Sequence, residues 1–128
     1  MKITQISWPY DVPEKLKKAC GDDFETIRNQ VQDGICHLYK FESDGVDLLM
    51  VTRGEETTRG RELVVVCIGG VGIKAAGQFL IDNALKAGFV SIRYHVQNPV
   101  TDRLYRQFGG KEIDRVYQVV PKGVNDGR

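Results

Sequence analysis

The longest unbroken apolar run in the chain, Leu63 to Ile68, reads as a central strand covered on both faces. It runs into Gly69-Gly70-Val71-Gly72 and then into a helical stripe of Ile73, Ala76, Leu80, Ala84 and Ala87, with Gly77 and Ile81 beside it. Lys86 and Gly88 suit the end of that helix. Val90 to Val96 is strand-like again, so strand, helix and strand form a βαβ unit with parallel strands. Upstream, the alternation over Lys2 to Ser7 predicts a first strand. Asp11 and Glu14 have capping-box spacing, Pro13 suits a first turn, and Glu14 to Cys20 is a short helix stopped at Gly21. Asp22 with Glu25 repeats the capping signal, and Phe24, Ile27 and Val31 share one helical face up to Gly34. Ile35 to Phe41 and Val46 to Thr52 read as two strands of a hairpin turning at Asp44-Gly45. The polar stretch Arg53 to Arg61 reads as a surface loop. Downstream, Asn98 is an N-cap and Pro99 a first helical position. Val100, Leu104 and Phe108 form the apolar face of that helix, Gly109-Gly110 closes it, and Ile113 to Val120 is a last strand.

Composition narrows the class without changing this picture. With 41% hydrophobic and 27% charged residues in 128 positions, the chain is expected to be one globular domain over 1–128 with a core of its own. Eighteen basic against seventeen acidic residues leave +1, so no bulk field favours nucleic acid or an anionic membrane. No apolar run approaches the roughly 20 residues of a membrane span. The opening residues lack the apolar core of a signal peptide, so the expected location is cytoplasmic. Cys20, Cys36 and Cys67 form no C-x-x-C pair and are expected to be reduced buried thiols; with His37 and His95 as the only histidines, no metal site is expected.

The glycines carry the candidate chemistry. A helix N-terminus leaves N–H groups unpaired and bears roughly half a positive charge, and glycines ahead of it let an anion reach the backbone. Gly70-x-Gly72-x-x-Ala75 also fits the dinucleotide fingerprint G-x-G-x-x-A. That fingerprint belongs on the first strand of a doubly wound sheet, with an acid about 20 positions on. Here it lies past mid-chain, and the following strand ends in Arg93 and His95 instead.

The order β-α-α-β-β-β-α-β-α-β, an α/β arrangement with a central mixed sheet flanked by helices, resembles the GNAT superfamily of N-acetyltransferases. The family pattern is [RQ]-x-x-G-x-[GA], a helix, a strand, then an asparagine and an L-Y-x-x-x-G-F segment. This chain has Gly70-Val71-Gly72, helix, strand, Asn98, and Leu104-Tyr105 leading to Phe108-Gly109-Gly110. The resemblance implies that acetyl-CoA places its pyrophosphate on the amides of Gly69, Gly70, Val71, Gly72, Ile73 and Lys74. It implies that the pantetheine arm runs along the strand edge at Val66 and Ile68, that Asn98 contacts the arm, and that Tyr105 protonates the departing thiolate. The acceptor is then a small-molecule or protein amine; Glu62 and His95 are the candidates for a general base. Short GNAT-like proteins of this kind are common in phages and prophages. Four departures bear on the expectation. Cys67 stands where the family has Arg or Gln, the apolar run enters the glycines with no loop between, Gly110 replaces a phenylalanine, and one strand follows the last helix where the family has two. The alternative is therefore a non-catalytic GNAT-like accessory or binding protein. A homodimer or protein partner through a sheet edge would complete the sheet.

Overall fold

The computed structural model describes residues 1–95, 106, 111–113 and 116–119. The first half follows the sequence pattern closely. Strand β1 is Lys2–Ile6, helix α1 is Glu14–Cys20, a single 3₁₀ turn covers Gly21–Asp23, and helix α2 is Phe24–Gln32. Strands β2 (His37–Ser43) and β3 (Val46–Thr57) flank Asp44-Gly45, and β2 and β3 pair out to Ser43↔Val46, so the hairpin turns in two residues. Strand β4 (Gly60–Val71), helix α3 (Ile73–Asn83) and strand β5 (Phe89–His95) follow, then the short strands β6 (Lys111–Ile113) and β7 (Val116–Val119). The expected helix from Pro99 to Phe108 lies outside the described residues, apart from Arg106.

Four expectations need correction. The stretch Arg53 to Arg61 is not a surface loop: β3 and β4 stay paired from Asp47↔Val71 to Thr57↔Gly60, leaving Thr58-Arg59 as the turn. Its polar side chains suit a ribbon exposed on its flanks; the backbone pairing holds regardless. Neither capping box forms. Pro13 and Asp23 precede the two helices, and neither helix has a side-chain cap. The last strand is two strands, β6 and β7, paired antiparallel. The glycine cluster is mostly strand: β4 continues through Gly69, Gly70 and Val71.

Among the described residues the strands form one seven-stranded sheet in the order β1-β2-β3-β4-β5-β7-β6. Pairing is antiparallel except between β4 and β5, the pair joined by α3. Each face has its own core. Leu49, Val51, Val64, Val66 and Cys67 meet Leu16, Cys20 and Ile27 beneath α1 and α2. Leu48, Met50, Val65, Ile92 and Tyr94 meet Ala76 and the flanking Ile73, Phe79 and Leu80 of α3. The alternation of Val64 and Val66 on one face with Val65 on the other is the period-two pleat of a strand buried on both sides. No helix among the described residues is long and apolar enough to cross a membrane.

Candidate functional site

The parallel junction positions the candidate site. β4 and β5 pair from Arg61↔Phe89 to Val65↔Tyr94, with a register shift between Arg61 and Glu62. Beyond Val65, β4 runs on to Val71 with β3 as its partner, while Tyr94 and His95 pair across to Tyr117 and Val116 of β7. Among the described residues, the β4–β5 pairing ends at Val65↔Tyr94. Among the described residues, the β5-facing edge of β4 from Val66 onward pairs with no strand. Such an edge offers backbone groups to an extended ligand.

The expected cofactor residues divide on this frame. Val66 is buried in the α1/α2 core and Ile68 is half-buried against α3, so both reach the ligand edge through backbone. Gly69 and Gly70 do not form a turn: they are strand residues facing Leu49 and Leu48 of β3. Their lack of a side chain answers packing. A Cβ on Gly69 would lie 2.3 Å from the Lys15 carbonyl oxygen, and one on Gly70 2.4 Å from the Asp47 carbonyl oxygen. The glycines therefore admit α1 and β3 to the strand. Val71 is 64% exposed at the strand end. Gly72 does turn. Its φ of 89° is left-handed, and its carbonyl accepts the Ala76 N–H at 3.0 Å to start α3. Ile73, Lys74 and Ala75 occupy the first turn, where N–H groups have no acceptor within the helix. The candidate anion cradle thus contracts to Gly72 and the first turn of α3. Asn98 and Tyr105 lie outside the described residues.

A charged cluster that the sequence only hinted at lies at the root of the cleft. Glu62 is fully buried; its Oε2 accepts the Ser91 hydroxyl at 2.8 Å and its Oε1 lies 2.6 Å from Arg93 Nη2. Arg93 also approaches Glu55 at 3.7 Å, and Glu55 accepts Arg53 Nε at 2.9 Å. The register explains the gathering: Glu55 faces Glu62 across β3–β4, and Glu62 faces Ser91 across β4–β5. The one legible signal was an acid, Glu62, at the head of an apolar run.

Two thiols also meet. Cys20 Sγ and Cys67 Sγ are 3.4 Å apart, both buried, and all three cysteines are free. The hydrogen bond from Cys67 holds the Cys20 thiol below its ordinary value, against burial and nearby Asp23. The same contact, with burial, pushes Cys67 far up. Burial raises Cys36, partly offset by Arg53. No group of three or more His, Cys, Asp or Glu among the described residues could hold a metal ion. A largely apolar groove of about 380 Å³ lies away from Gly72, between Phe79 and Leu80 of α3 with Ala84 just beyond it and Tyr39, Met50 and Leu63 of the sheet.

No family model matches the chain, and no curated protein does. Solved structures do. One is a structure of the AtaT-AtaR complex bound to DNA, 13% identical, covering 94% of each chain with a TM-score of 0.57. Another is AtaT complexed with acetyl-methionyl-tRNAfMet, 14% identical, covering 93% of this chain and 95% of that one with a TM-score of 0.50. At these identities the likeness is one of fold, and the fold is the GNAT-like one.

Proposed function

We propose that this chain is a GNAT-fold acyltransferase, or a CoA-binding relative of one, that takes acetyl-CoA in the cleft between β4 and β5. The observation that carries this reading is that, among the described residues, β4 runs on past its last pair with β5, Val65↔Tyr94, with the N-terminus of α3 at the end of the same strand. The residues present fit the group in a reduced form. The β4 edge at Val66 and Ile68 matches an extended amide-bearing arm. The first-turn amides at Ile73 and Lys74, with the Lys74 ammonium nearby in sequence, suit a pyrophosphate. Acetyl-CoA, when bound, would supply its acetyl group to an amine nitrogen, with the CoA thiolate as the leaving group. The chain's share is to align the arm along β4, to hold the anion at Gly72, and to return a proton from the Tyr105 hydroxyl to the departing sulfur. A phenol, with an ordinary pKa near 10, suits that donation at hydrogen-bond reach. Asn98 fixes the arm. Glu62 is read as a structural carboxylate, since Ser91 and Arg93 hold both its oxygens.

The acceptor is an amine, small or macromolecular, met in the cytoplasm. Because one structural neighbour holds an acetylated aminoacyl-tRNA, a panel of acceptors includes aminoacyl-tRNA beside polyamines and lysine peptides. A protein partner at the sheet edge is part of the same proposal, since β1 is an edge strand with mostly exposed residues.

The test is thermal unfolding with acetyl-CoA or CoA. A ligand bound only to the folded state at about 100 times its Kd stabilises by roughly 2.7 kcal/mol. The expected result is a saturable rise in Tm, with Tyr105→Phe retaining the rise while losing at least about tenfold in transfer rate. No shift at millimolar cofactor overturns the reading. It would favour the second one, a non-catalytic GNAT-like accessory protein of the phage or prophage kind. That reading draws on one observation: α1 and β3 occupy the space at Gly69 and Gly70 that a phosphate loop would leave open.

A further inference from the structure

Among the described residues, the fold brings two thiols together outside the cleft, those of Cys20 and Cys67. They are 47 positions apart in sequence, one the last residue of α1 and the other in the middle of β4, yet their sulfurs stand 3.4 Å apart. We infer that Cys20 and Cys67 form a peroxide-responsive dithiol site that closes to a disulfide tying α1 to β4.

Three features of the pair support it. The sulfurs need to close by little more than 1 Å to reach the S–S bond length of about 2.05 Å. The two thiols are unequal: the hydrogen bond from Cys67 favours the thiolate of Cys20, and a thiolate is the form that attacks peroxide. Access comes through α1 itself. The helix has seven residues and no side-chain N-cap, far below the roughly 12–15 residues at which a helix stands alone, so tertiary packing and not its own propensity holds it, and local opening of α1 is the route that peroxide requires.

The chemistry balances with peroxide as the oxidant. The Cys20 thiolate attacks one peroxide oxygen; the O–O bond breaks, water leaves after protonation, and Cys20 becomes a sulfenic acid. The Cys67 sulfur then attacks the Cys20 sulfur. The S–O bond breaks, the Cys67 proton departs with the oxygen as a second water, and the S–S bond forms. Two thiols give up two electrons to one peroxide. Oxidising Cys20 also removes the hydrogen bond that most strongly holds the Cys67 proton, which frees Cys67 for the second step. A dithiol reductant reverses the bond. The closed form pins α1 against the strand whose next residues line the cleft, immediately before Gly69, where α1 already touches the backbone.

The experiment uses the whole folded chain and hydrogen peroxide, with peptide mapping by trypsin under non-reducing conditions. Cys20, Cys36 and Cys67 fall on separate tryptic peptides, 19–28, 29–40 and 62–74, so the linkage reads unambiguously. The expected result is a loss of two hydrogens in intact mass and a 19–28/62–74 cross-link. The cross-link persists in Cys36→Ser and vanishes on adding dithiothreitol. In Cys67→Ser, Cys20 is trapped as a sulfenic acid by dimedone. The inference is overturned if folded wild-type protein goes to sulfinic acid at Cys20 without cross-linking, if Cys36 is the partner found, or if all three thiols stay reduced under excess peroxide. None of these readouts depends on cofactor binding, so a failed acetyl-CoA titration leaves this test intact.

Discussion

Gly69 shows how a single residue was legible for the wrong reason. In sequence it belonged to a phosphate-cradling cluster; in the fold it admits α1 to β4. Its backbone is ordinary strand, so the cost of a side chain is purely steric. Gly69→Ala forces the Lys15 carbonyl and the Ala19 methyl away and is expected to lose about 1–3 kcal/mol by urea denaturation. Gly45 is the opposite case: nothing lies within 4 Å, but its φ is 75°, so Gly45→Ala is expected to cost about 1 kcal/mol through the backbone alone. The buried Glu62–Arg93 pair makes a third prediction. Glu62→Leu takes from the mostly buried Arg93 guanidinium its 2.6 Å partner, leaving Glu55 at 3.7 Å, and is expected to cost about 3 kcal/mol, whereas Glu62→Leu with Arg93→Leu recovers most of that loss in a double-mutant cycle. Cys36 sets a pH dependence. Its folded value lies above its ordinary 9.0, so below pH 9.0 it has no effect, and as pH rises past 9.0 only the unfolded chain ionises and stability falls. Cys67 acts in the same sense and Cys20 in the opposite one. The Cys36 share is therefore the difference between wild type and Cys36→Ser, which is expected to lose less stability on the alkaline side.

At the scale of elements, periodicity located every helix and strand among residues 1–95, and erred where pairing overrides composition. The Arg53 to Arg61 stretch looked like a loop because it is polar and holds two glycines. Backbone ladders do not require apolar side chains, and here both strands are long enough that Glu56↔Arg61 and Thr57↔Gly60 stay in register beyond the covered part of the sheet. The same extension brought Glu55 and Arg53 to the charged cluster, which is why that cluster was invisible: its members come from β3, β4 and β5, and only the register brings them together. The glycine segment failed in the converse way. Glycine permits a turn without demanding one, and here the β3 partner continued as far as Asp47, so the ladder persisted to Val71.

For the whole molecule, element order was enough to recover the GNAT-like sheet, because short connections and one βαβ crossover leave few alternatives. The site was less legible. The end of the β4–β5 pairing depends on how far a parallel register runs, which no local pattern encodes; Asn98 and Tyr105 rest on the family resemblance. The long β3–β4 hairpin has a consequence in time as well as in space. Its contacts close through a two-residue turn and lose little chain entropy, while the β4–β5 pair must wait for the whole α3 connection to be gathered in. The antiparallel ribbon is thus expected to be the folding nucleus, with high φ-values at Leu48, Met50 and Val65 and low ones at Ile92. In native-state hydrogen exchange, the β5 amides at Ile92 and Arg93 are expected to open at lower free energy than those of β3. The junction from which the cleft is made is then expected to form after the ribbon and to loosen before it.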